Sequence, residues 1–458
     1  MTFKIYYEIV LFLGFFNLTF QKLLFVNAHF RHGARGSLYI DKQNRDLLGH
    51  EWEKRGILTS KGKRQVFLNG IKHRERYSNF LSNKYYEDEI KVYSTDSYRA
   101  ISSLECYLNG LYHNYDINEN IIEKKETVYP PGNVTQKMEE KIIQLGNFAI
   151  PKDNHIIPIN IFQKADHQFV LHEPGKISDC QIINEIREKN VINYNINIIA
   201  KNFREKYGSR LNNFFNINNI TLNSDFNYSY NQLHLLCDTL YSDFTDKRNL
   251  SNLKKELNFD ELINDCHNIL SILLSDFVSG DKDTVIMSQS PVMKKLINWM
   301  DKRIELDKNG KGDKISAGSP KYTVFSGHDS TIITFEMFMK YIFNIKWLFP
   351  SFSSSILFEL HKNVEKNIYE IKYLMNDETL LTINYEDFKR KVMEIIWDEE
   401  KIENFCQFSI IHSDKINKLN DKIKKYQTII FILIVVIISI LFFNIYNSIK
   451  RRKKMKDI

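Results

Sequence analysis

Apolar positions along the chain follow two spacings. Leu23 to Phe30 (LLFVNAHF) is almost continuously apolar, which predicts a strand buried on both faces, as in a parallel sheet. Ile90 to Ser94 and Tyr322 to Ser326 (YTVFS) are shorter runs of the same kind, and Ile156 to Phe162 is a further strand candidate. Between them the spacing turns helical. LTSKGKRQ, from Leu58 to Gln65, opens a helix to about Tyr77. Thr95-Asp96-Ser97 caps a second helix whose Ile101, Leu104, Leu108 and Leu111 form one apolar stripe. Ile332 to Ile342 predicts a third helix, and Ser354 to Leu360 and Ile368 to Tyr373 predict closing strands. From about 176 to 315 the text becomes rich in Asn, Lys and Leu at helical spacing, with a Lys- and Gly-rich tip at Asp307 to Pro320. The pattern predicts an α/β protein with a central, mostly parallel sheet flanked by helices and a helical insertion over about 176–315.

The two ends differ from this body. Residues 1–21 carry Lys4 near the start and a short apolar run from Ile9 to Phe16, the form of a signal peptide. Residues 427–447 hold an uncharged apolar run close to membrane-spanning length, and 448–458 are basic. The charge rule alone favours a cytoplasmic tail only slightly, because lysines also precede the span. With the signal peptide, the expectation is a single-pass type I membrane protein of the secretory pathway. Residues 22–425 would then lie in a lumen or outside the cell, at a lysosome, vacuole or cell surface. Sequons at Asn133, Asn219, Asn227 and Asn249 are compatible with that.

The net charge is +7, but the last nine residues hold six cations and Asp457, so +5 of it sits there and the rest carries only +2. A nucleic-acid surface is therefore not expected. No CxxC or HxxxH pattern suggests a metal site, and no cofactor is expected. A homodimer is left open.

Candidate chemistry lies where the predicted strands end. Arg31-His32-Gly33-Ala34-Arg35 follows the first strand, Arg99 sits in the first turn of the second predicted helix, and Gly327-His328-Asp329 follows the YTVFS strand. Ligands of open α/β sheets bind at such ends. Guanidiniums stay charged and fork onto tetrahedral oxyanions, and an imidazole between them could attack phosphorus or move a proton.

FRHGARGS (Phe30 to Ser37), LTSKGKRQVFLNGIKHRERY (Leu58 to Tyr77), VYSTDSYRA (Val92 to Ala100) and FSGHDST (Phe325 to Thr331), in this order, resemble the histidine acid phosphatase family, the lysosomal and prostatic branch of the histidine phosphatase superfamily. The resemblance implies a phosphoglycerate mutase-like fold and hydrolysis of a small-molecule phosphate monoester without metal. His32 would be the nucleophile that becomes phosphohistidine. Arg31, Arg35, Arg99 and His328 would hold the phosphoryl oxygens, and Asp329 would protonate the leaving oxygen. Flanking cations should depress the pKa of His32, and a bound phosphate should raise that of Asp329, favouring an acid optimum. Alternatives are a phytase-like inositol-phosphate phosphatase of the same fold and a non-catalytic phosphate-binding ectodomain. Of the five cysteines, Cys180–Cys406 and Cys237–Cys266 are expected disulfides, the first also resembling a family bridge, with Cys106 left over. Three positions depart from the family. Ser37 stands where Pro is usual, His29 where an apolar strand residue is usual, and the family's cysteine near Ser354–Ser355 is absent, so Cys237 lacks that partner.

Overall fold

The first strand, β1 (Gln21–Arg31), is buried from Leu24 to Arg31. Its side chains alternate between two apolar layers, which is why the run reads as continuously apolar. Phe25 enters one core with Phe325, Trp299 and Phe335, and Val26, Ala28 and Phe30 enter another with Val66, Leu104, Tyr107 and Val324. Burying a side chain such as Phe25 contributes about 1.5–3 kcal/mol.

This computed structural model describes residues 21–113, 135–147, 156–162, 194–217, 229–278, 281–316, 318–346, 348–406 and 425. With β2 (Ile90–Thr95), β3 (Asn160–Phe162), β4 (Tyr322–Gly327), β5 (Ser355–Asn363), β6 (Ile368–Met375) and β7 (Glu378–Asn384), β1 forms one seven-stranded sheet in the order β3-β2-β4-β1-β5-β6-β7. The pairs β3/β2, β2/β4 and β4/β1 are parallel, whereas β1/β5, β5/β6 and β6/β7 are antiparallel. The sheet is therefore mixed, not mostly parallel. The reason is local: β5, β6 and β7 follow one another through turns of a few residues, and such turns can only return the chain antiparallel. Asn376 and Asp377, which link β6 to β7, both have positive φ, a conformation Asn and Asp tolerate in tight hairpins. The third predicted strand pairs only over its last three residues.

Helices α1 (Ser60–Arg76) and α2 (Tyr98–Leu111) cover one face of the sheet. A short exposed helix, α3 (Gln136–Leu145), precedes β3. Helices α4 (Tyr194–Ile217), α5 (Tyr230–Asp246), α6 (Ser251–Glu256) and α7 (Phe259–Val278) gather around a second core that includes Phe203, Leu211, Leu236, Leu240 and Leu262. Leu47 and Leu48, from the loop after β1, join this core. Helix α8 (Lys282–Lys308) packs with the sheet instead, through Met293, Leu296 and Met300. With α9 (Asp329–Phe343) and α10 (Tyr385–Met393) it covers the second face.

By internal contacts the chain forms two units, 1–178 with 183–398, and 179–182 with 399–458. The described part of the smaller unit is 399–406, which is helical, and residue 425. Cys406 is disulfide-bonded, and Cys180 lies outside the described residues. Cys237 of α5 and Cys266 of α7 face each other with sulfurs 2.6 Å apart, against about 2.05 Å for a disulfide, and both are free thiols. The two sulfurs face each other as the expected pairing requires, without a bond between them in this structure. Among the described residues no helix is long and apolar enough to cross a membrane. The expected signal peptide up to residue 20, the span at 427–447, the tail, and sequons Asn133, Asn219 and Asn227 lie outside the described residues.

Candidate active site

β1, β2 and β4 run the same way and end together, with Arg31 opposite Gly327 and Ser94 opposite Ser326. Three helices begin at this end. Thr59 caps α1 by accepting from Gly62 N, Ser97 precedes α2, and His328 precedes α9. Their N-termini turn positive dipole ends towards this end of the sheet, which attracts anions.

The chain between β1 and α1 can lie flush against α1 only because glycines meet there. A Cβ on Gly33 would come within 2.2 Å of Gly62 O, and one on Gly62 within 2.0 Å of Ala34 O. The loop is fixed by Ala34 N donating to Gln65 Oε1 (2.9 Å) and Gly33 N donating to Ser103 Oγ (3.1 Å). The segment before β5 closes over it. Arg31 Nη1 donates to Pro350 O at 2.7 Å, Arg31 N to Ser354 O, and Ser353 N to His32 O.

The structure brings all six sequence-predicted residues together here. The His32 and His328 rings are 5.5 Å apart, Arg31 Nη2 lies 2.6 Å from Asp329 Oδ2, and Arg99 Nη2 lies 3.2 Å from His328 Nδ1. Hydrogen-bond chemistry fixes the tautomers. His32 Nδ1 is 2.9 Å from Gly33 O, which can only accept, so Nδ1 carries the proton and Nε2 the lone pair of the neutral ring. Arg99 can only donate, so His328 Nδ1 is an acceptor and its Nε2–H donates to Thr95 Oγ1 at 3.1 Å.

The charges are set by burial and neighbours. Burial, followed by Arg99, Arg31, His328 and Arg35, holds the pKa of His32 well below its ordinary 6.5. Burial alone would raise the pKa of Asp329, but Arg31, Arg35 and His328 outweigh it and hold the carboxyl well below the usual range. The unliganded site thus has a neutral His32 and an ionised Asp329. Arg31 Nε and Arg35 Nε are buried donors with no acceptor among the described residues. Leaving such donors unmet is costly unless an anion arrives.

Sequence reasoning missed the partner of Arg35. Both of its Nη atoms donate to Asp238 of α5, at 3.1 and 2.7 Å, and Leu38 N donates to the same carboxylate. Ser37 hydrogen-bonds Thr239, one residue on, through the hydroxyls at 2.8 Å, and its oxygen also accepts from Tyr39 N. Those bonds hold the loop where the family usually has proline. Removing one member of a buried forked pair strands the other charge. Asp238→Ala is therefore expected to cost about 3–5 kcal/mol, read as a lower urea midpoint, with a smaller cost when Arg35→Ala is present as well. Equal costs in both backgrounds would show that the pair does not hold the loop.

His29 does not join the site. Its Nε2 is 2.7 Å from Asn27 Oδ1, its ring stacks on Phe325 at 4.5 Å, and burial pushes its pKa down to about 3. It is a neutral core residue. Among the described residues one cluster, Asp46, His50 and Asp243, has donors suited to a metal, within 4.8 Å of one another. Those donors are already committed. Asp46 accepts from Leu48 N, His50 N and Trp52 Nε1, and His50 Nδ1 lies 2.6 Å from Asp243 Oδ2. The cluster ties the loop after β1 to α5.

The model of the histidine phosphatase superfamily (branch 2) matches residues 16–376. Testicular acid phosphatase of Mus musculus is 38% identical over 93 residues, 20% of this chain and 22% of that protein. Lysosomal acid phosphatase of Homo sapiens is 34% identical over a stretch of the same size and shares. The matched segment is thus about a fifth of these curated relatives. The phytase from Citrobacter braakii superposes with a TM-score of 0.53 at 12% identity, over 84% of this chain and 99% of that one. Hafnia alvei phytase in complex with myo-inositol hexakis sulphate superposes at 0.52 with 13% identity, over 84% and 98%. At such identities these two speak for the fold alone. The family match over most of the chain, on a fold of the same form and with the arginine–histidine cluster at the strand ends, makes this chain a member of the histidine phosphatase superfamily, branch 2.

Proposed function

We propose that the protein is an acid phosphomonoesterase that works through a phosphohistidine at His32 and needs no metal. The observation that carries this is the His32 tautomer: Nδ1–H is held by Gly33 O, which leaves the Nε2 lone pair to attack phosphorus among three guanidiniums. As the Nε2–P bond forms, the P–O bond to the alcohol breaks and its electron pair leaves on that oxygen, which takes a proton from Asp329. Water then attacks the phosphohistidine, gives its proton to Asp329, and the P–N pair returns to Nε2. Arg31, Arg35, Arg99 and His328 hold the non-bridging oxygens, which carry the spread charge of the transition state. We further propose that residues 427–447 anchor the enzyme, with the phosphatase domain in the lumen of the secretory pathway and 448–458 in the cytoplasm. The charge-free run and the apolar start of the chain support this.

The ionised Asp329 has a consequence for pH. Its carboxyl is held low by Arg31, so the free enzyme brings no proton for the leaving group. An arriving phosphate competes for Arg31 and raises the pKa of Asp329, and the proton then comes from the ester monoanion, whose second ionisation lies near about pH 6. Depression of the His32 pKa acts the opposite way, keeping the nucleophile unprotonated as pH falls below 6.5. kcat/KM is expected to hold on the acid side and to fall about tenfold per unit above the second pKa of the ester. The test is a phosphate-release profile across pH, with chelator present, for two esters of different second pKa. The alkaline limb should move with the ester, and alkaline quenching should trap label on His32. Strict dependence on added metal, or label on serine, would overturn the reading.

A further inference from the structure

Beside the strand ends, α5, α7, the segment before β5 and Gln65 of α1 line an open cleft of about 580 Å³. That is an ordinary size for a small-molecule site. Phe352 connects it to the candidate catalytic residues. Its ring centroid is 4.3 Å from the Arg31 guanidinium carbon and 5.9 Å from the His32 ring. Tyr241 of α5 stacks on Phe352 at 4.9 Å and 24°, and His267 of α7 packs on Tyr241 at 5.3 Å. Phe244 and Ile263 add apolar wall.

The charge of this cleft narrows what it can hold. Among the described residues its one formally charged lining residue is Asp260, with no lysine or arginine beside it. Burial and the charge of Arg31 lower the pKa of His267, which disfavours a cation on that ring. Its buried Nε2 has no hydrogen-bond partner among the described residues and offers one polar contact. A leaving group carrying several phosphates would meet a carboxylate and no cation. A flat aromatic ring would meet three aromatic side chains, which favour stacked or edge contacts.

We propose that this cleft is the leaving-group subsite, and that it selects monophosphate esters of aromatic alcohols over esters whose alcohol carries further phosphates. The proposal rests on the phosphatase reading above. It makes Tyr241, Phe244 and His267 specificity-determining residues, and it ties the choice of substrate to the helical segment between β3 and α8.

The test compares the wild type with Phe244→Ala and Asp260→Lys on 1-naphthyl phosphate, glycerol 2-phosphate and inositol hexakisphosphate. Phe244 is 45% exposed and Asp260 is exposed, so neither change threatens folding. Phe244→Ala is expected to cut kcat/KM for naphthyl phosphate, through KM, at least about fivefold more than for glycerol 2-phosphate. Dividing variant by wild type for each ester cancels its intrinsic reactivity. Asp260→Lys is expected to raise kcat/KM for inositol hexakisphosphate relative to naphthyl phosphate. Equal losses for the two small esters, or a wild-type preference for inositol hexakisphosphate, would overturn the subsite. Inactivity of the wild type on all three would instead defeat the phosphatase reading. The subsite is then judged by calorimetry, which supports it if naphthyl phosphate binds more tightly than glycerol 2-phosphate and refutes it if not.

Discussion

His32→Ala is expected to lower kcat on any phosphate monoester by at least about 10⁴-fold, because it removes the atom that takes the phosphoryl group. The loss should be one of chemistry and not of binding. Arg31 remains fixed by Pro350 O and Arg35 by Asp238, so both guanidiniums stay in place without the imidazole. Phosphate and vanadate should still bind the variant, with dissociation constants within about tenfold of wild type by calorimetry. The cavity left by the ring lies among buried groups, and the loop keeps its bonds through Ala34 N, Gly33 N and Gly36 N. A folded variant that binds phosphate and does not turn over would separate an enzyme from a phosphate-binding module. Turnover near wild type would show that another atom accepts the phosphoryl group.

Asp329→Asn is the second large effect, and its size should depend on the substrate. The amide keeps the shape, its oxygen can still accept from Arg31 Nη2, and it has no proton to give the leaving oxygen. Alkyl esters such as glycerol 2-phosphate leave as poor alkoxides and should slow by about 10²–10⁴-fold. Aryl esters with acidic phenols depart without help and should slow far less. A plot of log kcat against the pKa of the leaving group should therefore be steeper in the variant. A parallel line, with every ester slowed alike, would mean that Asp329 positions Arg31 and does not deliver the proton.

The site was legible where residues are bound to a strand end. Arg31, His32 and Arg35 follow β1, and His328 and Asp329 follow β4; in both cases a near-continuous apolar run announces the strand. Arg99 was legible because Thr95-Asp96-Ser97 marks a helix start. The residues that escaped notice act across the fold. Asp238 sits 203 positions from Arg35, on a helix whose local spacing marks it only as one more acid. Phe352 lies in an irregular segment before β5, and nothing in its neighbours along the chain points to Arg31. The antiparallel half of the sheet was under-read for a different reason. β7 is half-exposed along its length and lacks the unbroken apolar run that marks β1. Its clearest signal is the Asn376-Asp377 turn, which sets the hairpin but can equally end a strand.

The contact from Arg31 to Pro350 spans 319 positions, and that from Thr95 to His328 spans 233. During synthesis, therefore, a nascent chain holding the first four-fifths of the domain has the histidine and arginines but not the segment that closes over them. Contacts this distant in sequence form slowly, after local helices and hairpins. In refolding from denaturant, far-ultraviolet dichroism should recover before turnover. Intermediates with native-like helix content should be inert, and turnover is the sharper reporter of a completed chain.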